Sequence, residues 1–185
     1  MKNIFSILIA LMITVSLSSQ GVDANSKKLI DTYVKSNTEA ELSTIDQAAV
    51  SKVFTGTFFK GLVGFIETGS GLSYCGSDVY FNINGTTVTM IETIHTDIEC
   101  PVLMSLIKKE FLLKDENSAK LFEAALNTIY PVEENESQDI KHLKKGAQWI
   151  FVRKKFFDDF TVFIVTTAAN GAITKIDATL GYAMK

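Results

Sequence analysis

The chain begins with an apolar run and then settles into periodic patterns. Ile4 to Val15 is almost unbroken, with Phe5, Leu8, Leu11 and Ile13 inside it. Beyond Ser26 the spacing becomes helical. Leu29, Ile30, Tyr33 and Val34 share one face of a first helix. Ser43 suits the N-cap of a second helix, whose stripe is Ile45, Ala49 and Val53. From Phe54 to Ile66 the pattern changes again. Phenylalanines interleaved with Gly56, Gly61 and Gly64 predict a bent strand, because glycine weakens a helix interior.

The clearest local pattern is a hairpin. Asp78 to Ile83 and Thr86 to Ile94 are rich in β-branched and aromatic residues, and Asn84-Gly85 between them supplies the positive φ of a tight turn. Pro101 then opens a helix with Val102, Leu103, Leu106 and Ile107 inward. Phe111 to Leu113 reads as a short strand. Asp115 to Ser118 caps a stronger helix whose stripe is Phe122, Ala125, Leu126 and Ile129, and Pro131 stops it. Residues 131–145 are polar and read as an exposed loop. The last forty residues predict a three-stranded meander, Ala147–Phe157, Phe160–Ala168 and Ala172–Tyr182, with turns at Asp158-Asp159 and Asn170-Gly171.

Strand runs interrupted by helices, with hairpins inside each run, predict an α+β fold. The expected architecture is an antiparallel sheet of about six strands with helices packed on one face. Within the meander, Trp149 and Phe151 point one way and Ile150 and Val152 the other, so that strand is expected to be central. Lys175 and Asp177 interrupt one face of the last strand, as suits an edge.

The opening run now acquires a meaning. Met1-Lys2-Asn3 gives a short positive start, the apolar run follows, and Ser16 to Ala24 turns small and polar. That order is the order of a secretory signal peptide. The run is shorter than the roughly 20 residues that span a bilayer, which favours removal over anchoring. Residues 1–20 are read as the signal, with the cut as late as 24, and 21–185 as one α+β domain. About 160 residues are enough for one apolar core. A secreted or periplasmic location follows, with no membrane attachment after removal. Asn84 and Asn135 each open an N-x-[ST] sequon, which matters only in a host that glycosylates exported chains.

The net charge of -3 gives no electrostatic case for nucleic acid or an anionic membrane. In an exported chain, the two cysteines predict a disulfide between Cys75 and Cys100, worth roughly 3 kcal/mol on the chain-entropy model. With Asn84-Gly85 as a two-residue turn, Cys75 faces Ile94. Cys100 then lies roughly 20 Å further along an extended strand. The bridge therefore requires the chain to double back after about His95.

That bend bears on the best chemical candidate, His95, Asp97 and Glu99. Alternate residues of a strand share a face, and a histidine with two carboxylates suits a metal ion or acid–base work. On a straight strand they spread over roughly 13 Å, too far for bonds near 2 Å to one ion, so the bend is again needed. His142, among lysines in the long loop, reads as an ordinary exposed histidine. No nucleophile elbow, zincin motif, P-loop or dinucleotide fingerprint occurs. No cofactor is implied. The expectation is an exported, non-catalytic binding protein whose partner is a protein or a small apolar ligand. One alternative is a carrier that holds such a ligand between sheet and helices, motivated by thirteen phenylalanines. The other is a metal-dependent enzyme centred on His95, Asp97 and Glu99.

Overall fold

A computed structural model describes residues 22–34, 40–63, 77–92, 99–130, 142–154 and 159–182. The chain order is α1 (Ala24–Val34), β1 (Ala40–Thr44), α2 (Gln47–Val53), β2 (Thr57–Val63), β3 (Ser77–Asn84), β4 (Thr87–Glu92), α3 (Cys100–Leu106), α4 (Glu116–Ile129), β5 (His142–Lys145), β6 (Gln148–Lys154), β7 (Asp159–Thr167) and β8 (Ile173–Tyr182). The strands form two four-stranded antiparallel sheets, β1-β2-β3-β4 and β5-β6-β7-β8. The fold is α+β and antiparallel, as expected, but the strands do not join in one sheet of six.

Two short strands make the difference. Ala40–Thr44 pairs with β2, so Ser43 faces Lys60 in a ladder and does not cap a helix. The cap of α2 is Asp46, whose carboxylate accepts the Ala48 N–H at 2.8 Å. His142–Lys145 pairs with β6, where the sequence suggested loop. Lys145 faces Gln148 across a two-residue turn opened by Gly146, whose φ of 63° a side chain would disfavour. The additional strand makes β6 an interior strand, while β8 ends its sheet as expected.

Helices also lie on both faces of the N-terminal sheet rather than on one. Phe58, Tyr80 and Ile91 face a cluster that contains the buried residues of α2, α3 and α4. Phe59, Val79, Phe81 and Ile83 face the opposite way, onto Ile30 of α1, with Val22 and Leu29 beside it. Asp23 caps α1, accepting the backbone N–H groups of Asn25 and Ser26. The larger cluster continues into the C-terminal sheet through Trp149, Phe151, Phe163, Val165 and Ile176.

A file of rings crosses this core. Phe58 of β2 lies 5.8 Å from Phe54, which lies 6.2 Å from Phe122 of α4, which lies 5.1 Å from Phe151 of β6. Helix α4 is placed for this role by a capping box. Asp115 accepts the Ser118 N–H at 2.8 Å, and the Ser118 hydroxyl reaches back to the Asp115 N–H. Its stripe of Phe122, Ala125, Leu126 and Ile129 is fully or almost fully buried, as the spacing predicts. Two isolated bridges, Phe54 with Ile107 and Leu112 with Ala172, close the remaining gaps, and the second replaces the expected strand at Phe111–Leu113.

Candidate functional site

Strand β5 gathers the polar chemistry of the described residues. Its side chains alternate, so His142 and Lys144 lie opposite Phe151 and Trp149 on the inner side, and Leu143 lies opposite Ile150 on the outer. Facing β5 is α4. Glu116 and Glu123 are seven residues apart, two helical turns, and so share one face. His142 bridges them. Its Nδ1 lies 2.7 Å from Glu123 Oε2 and its Nε2 lies 2.9 Å from Glu116 Oε1. The imidazole is only 10% exposed and has Trp149 and Phe151 at centroid distances of 6.0 and 5.9 Å.

The electrostatics follow from this geometry. Burial opposes a charge on His142. The hydrogen bonds to Glu123 and Glu116, with the charges of both carboxylates, outweigh it and hold the ring's pKa above the usual 6.5. The sequence reading of an ordinary exposed histidine is therefore wrong. Two features carried the information: Gly146 as a hairpin turn after His142, and the seven-residue spacing of the glutamates.

Beyond His142, Lys144 lays its ammonium 5.0 Å from the Trp149 ring centroid and donates to the Lys114 carbonyl at 3.4 Å. The two lysines border an open hollow of about 360 Å³, floored by Leu113 and rimmed by Gly146, Thr167 and Gly171.

The outer face of the same sheet has a different character. Register places Leu143, Ile150 and Ile164 in one row and Val152 and Val162 in the next. Leu143 is 63% exposed, and the other four are half-buried. None belongs to either core cluster. The matching face of the N-terminal sheet is covered by α1.

The residues singled out from sequence fare unevenly. Glu99 is exposed at the N-cap of α3 and makes no side-chain cap bond. His95 and Asp97, the other two members of that constellation, lie outside the described residues. Among the described residues no group of three His, Cys, Asp or Glu side chains converges to hold an ion. The His142 cluster is no exception, since its carboxylates sit on opposite nitrogens. Cys100 is a free thiol, and no disulfide forms among the described residues; Cys75 lies outside them. Burial, then the charge of Asp177, pushes the Cys100 thiol up. Asn84 is exposed at the end of β3, and Asn135 lies outside the described residues. Among the described residues no helix is long and apolar enough to cross a membrane. The place where an apolar ligand was expected, between helices and sheet, is filled by the rings of Phe54, Phe58, Phe122 and Phe151.

No protein family, curated protein or solved structure matches the chain.

Proposed function

We propose that this is an exported, non-catalytic binding protein that engages a protein partner through the outer face of its C-terminal sheet. The observation that carries the reading is the pair of apolar rows, Leu143-Ile150-Ile164 and Val152-Val162, which no described element covers while α1 covers the equivalent face of the other sheet. Contiguous apolar surface on a soluble domain is costly to keep and commonly marks an interaction site. β-branched residues on a sheet present a flat, stiff surface, which suits docking against another protein more than enclosing a small molecule. The reading of residues 1–20 as a signal peptide supports export, which would set this surface among extracellular or periplasmic partners.

The test is a comparison of surfaces at equal stability. Tagged protein is exported from its native host or a close surrogate, captured, and its co-purifying proteins identified. The same is done with Val162→Lys and Ile150→Lys, each checked for an unchanged melting temperature. A partner captured by the wild-type chain and lost with both variants supports the reading. A partner retained by both, or none captured under crosslinking, refutes it.

A further inference from the structure

We propose that His142, Glu116 and Glu123 form a pH-operated latch, which ties edge strand β5 to α4 by two hydrogen bonds when the imidazole is protonated and loosens it when the ring is neutral and keeps only one. The latch does not rest on the binding reading above, since it is built from the inner side of the sheet, although β5 also carries Leu143 of the outer row.

A neutral imidazole carries one N–H and can donate to one acceptor. Here both ring nitrogens lie within 2.9 Å of carboxylate oxygens. Both contacts are attractive only when both nitrogens carry hydrogen, so the geometry specifies an imidazolium between two carboxylates. The surrounding charges agree. On α4, Lys120 sits one turn from Glu116, with its ammonium 3.8 Å from the same Oε1 that faces His142. Two carboxylates, one imidazolium and one ammonium sum to zero. From β6 the groups facing the ring are the uncharged Trp149 and Phe151, and on β5 itself Lys144 is turned to the Trp149 ring. Before α4, Lys114 borders the hollow and Asp115 is held by its own cap.

Loss of the proton leaves a lone pair aimed at a carboxylate at hydrogen-bond distance, within a site that is 90% shielded on the histidine side. A neutral ring keeps one N–H and so one of the two contacts; the other is relieved either by the 62% exposed Glu116 swinging into solvent or by β5 drawing away, and in both cases the strand loses one of its two ties to α4. The element free to move is β5. It is four residues long, has one sheet neighbour and carries an exposed leucine. Short edge elements with few buried contacts occupy the low-stability end of a fold.

The raised pKa of His142 sets the direction. A histidine whose folded pKa lies above its unfolded value near 6.5 stabilises the structure fully below that value, and the contribution is lost as pH rises through the folded pKa. The protonated state therefore holds the strand more tightly than the neutral one.

Two readings on the intact chain test this. Trp149 is the sole tryptophan, and an imidazolium 6.0 Å away alters its emission. Emission should therefore titrate with a midpoint above about 6.5. Hydrogen–deuterium exchange of peptides covering β5, corrected for intrinsic base catalysis, should accelerate across the same midpoint. His142→Gln abolishes both steps, which also separates His142 from the other histidine, His95. If that variant fails to fold, Glu123→Gln serves, and must move the midpoint down. A midpoint at or below 6.5, corrected exchange that ignores pH, or a titration that survives His142→Gln overturns the proposal.

Discussion

Truncating Phe122 to alanine is the sharpest test of how the molecule is held together. The ring is fully buried, and it lies 6.2 Å from Phe54, 5.9 Å from Phe111 and 5.1 Å from Phe151. Phenylalanine-to-alanine changes in a core cost about 3–5 kcal/mol. Three ring partnerships, each worth about 0.5–1.5 kcal/mol beyond area, place this site in the upper half of that range. With a domain stability of about 5–15 kcal/mol, the change removes about a quarter or more of the total. For a urea m-value near 2 kcal/mol/M, the midpoint should fall by roughly 2 M. The assay follows two probes in one titration. Trp149 emission reports the C-terminal sheet, and far-ultraviolet circular dichroism reports both. Since one cluster draws on both sheets, the probes should coincide in the wild-type protein and in the variant. Leu143→Ser, at a 63% exposed site, is the control and should stay within about 0.5 kcal/mol. A loss below about 1 kcal/mol for Phe122→Ala, or wild-type probes that separate, would refute the picture of one core spanned by rings.

Two further outcomes follow from local geometry. Gly56→Ala should cost clearly more than Gly85→Ala: both have positive φ, which alone costs about 1–2 kcal/mol, but a Cβ at Gly56 would sit 2.7 Å from the Ile83 carbonyl while one at Gly85 meets nothing within 4 Å. Equal losses in thermal melts would show that the close approach at Gly56 is irrelevant. The backbone and hydroxyl hydrogen bonds from Ser118 hold the Asp115 carboxyl below the usual carboxylate range. A depressed carboxylate contributes stability above its ordinary pKa and loses it as pH falls through the folded value. Asp115→Asn, which keeps a cap but cannot titrate, should therefore flatten the acid limb of melting temperature below about pH 4. An unchanged acid limb would remove this cap from the list of acid-sensitive contacts.

Where one period dominated, the sequence was sufficient. The stripe of α4 and its cap are legible because Asp115, Ser118 and the apolar positions all indicate the same helix. The β3–β4 hairpin is legible in outline but not in register. Its turn residues are Gly85 and Thr86, so Val79 pairs with Glu92 and not Met90. The displacement is two residues, which leaves every side chain on its expected face. Strands β1 and β5 escaped for a common reason. Each is only four or five residues long, too short for alternation to stand out, and each is defined by a neighbour distant from it in character. His142 escaped with β5, because its meaning depends on two glutamates 19 and 26 residues earlier. Of the constellation legible in sequence, only Glu99 falls among the described residues.

On the proposal that residues 1–20 are a signal peptide, the cap of α1 has a bearing on maturation. The helix begins at Ala24, takes its N-terminal hydrogen bonds from the Asp23 carboxylate, and has Val22 packed with Leu29 and Ile30 on the N-terminal sheet. A peptidase acting after Gln20 would release a chain with this helix start whole. One acting after Ala24 takes away the capping carboxylate and the valine together, and leaves a new ammonium group at the helix's positive end, where a cation is disfavoured. The docking of α1 on its sheet thus becomes a check on where the leader is cut.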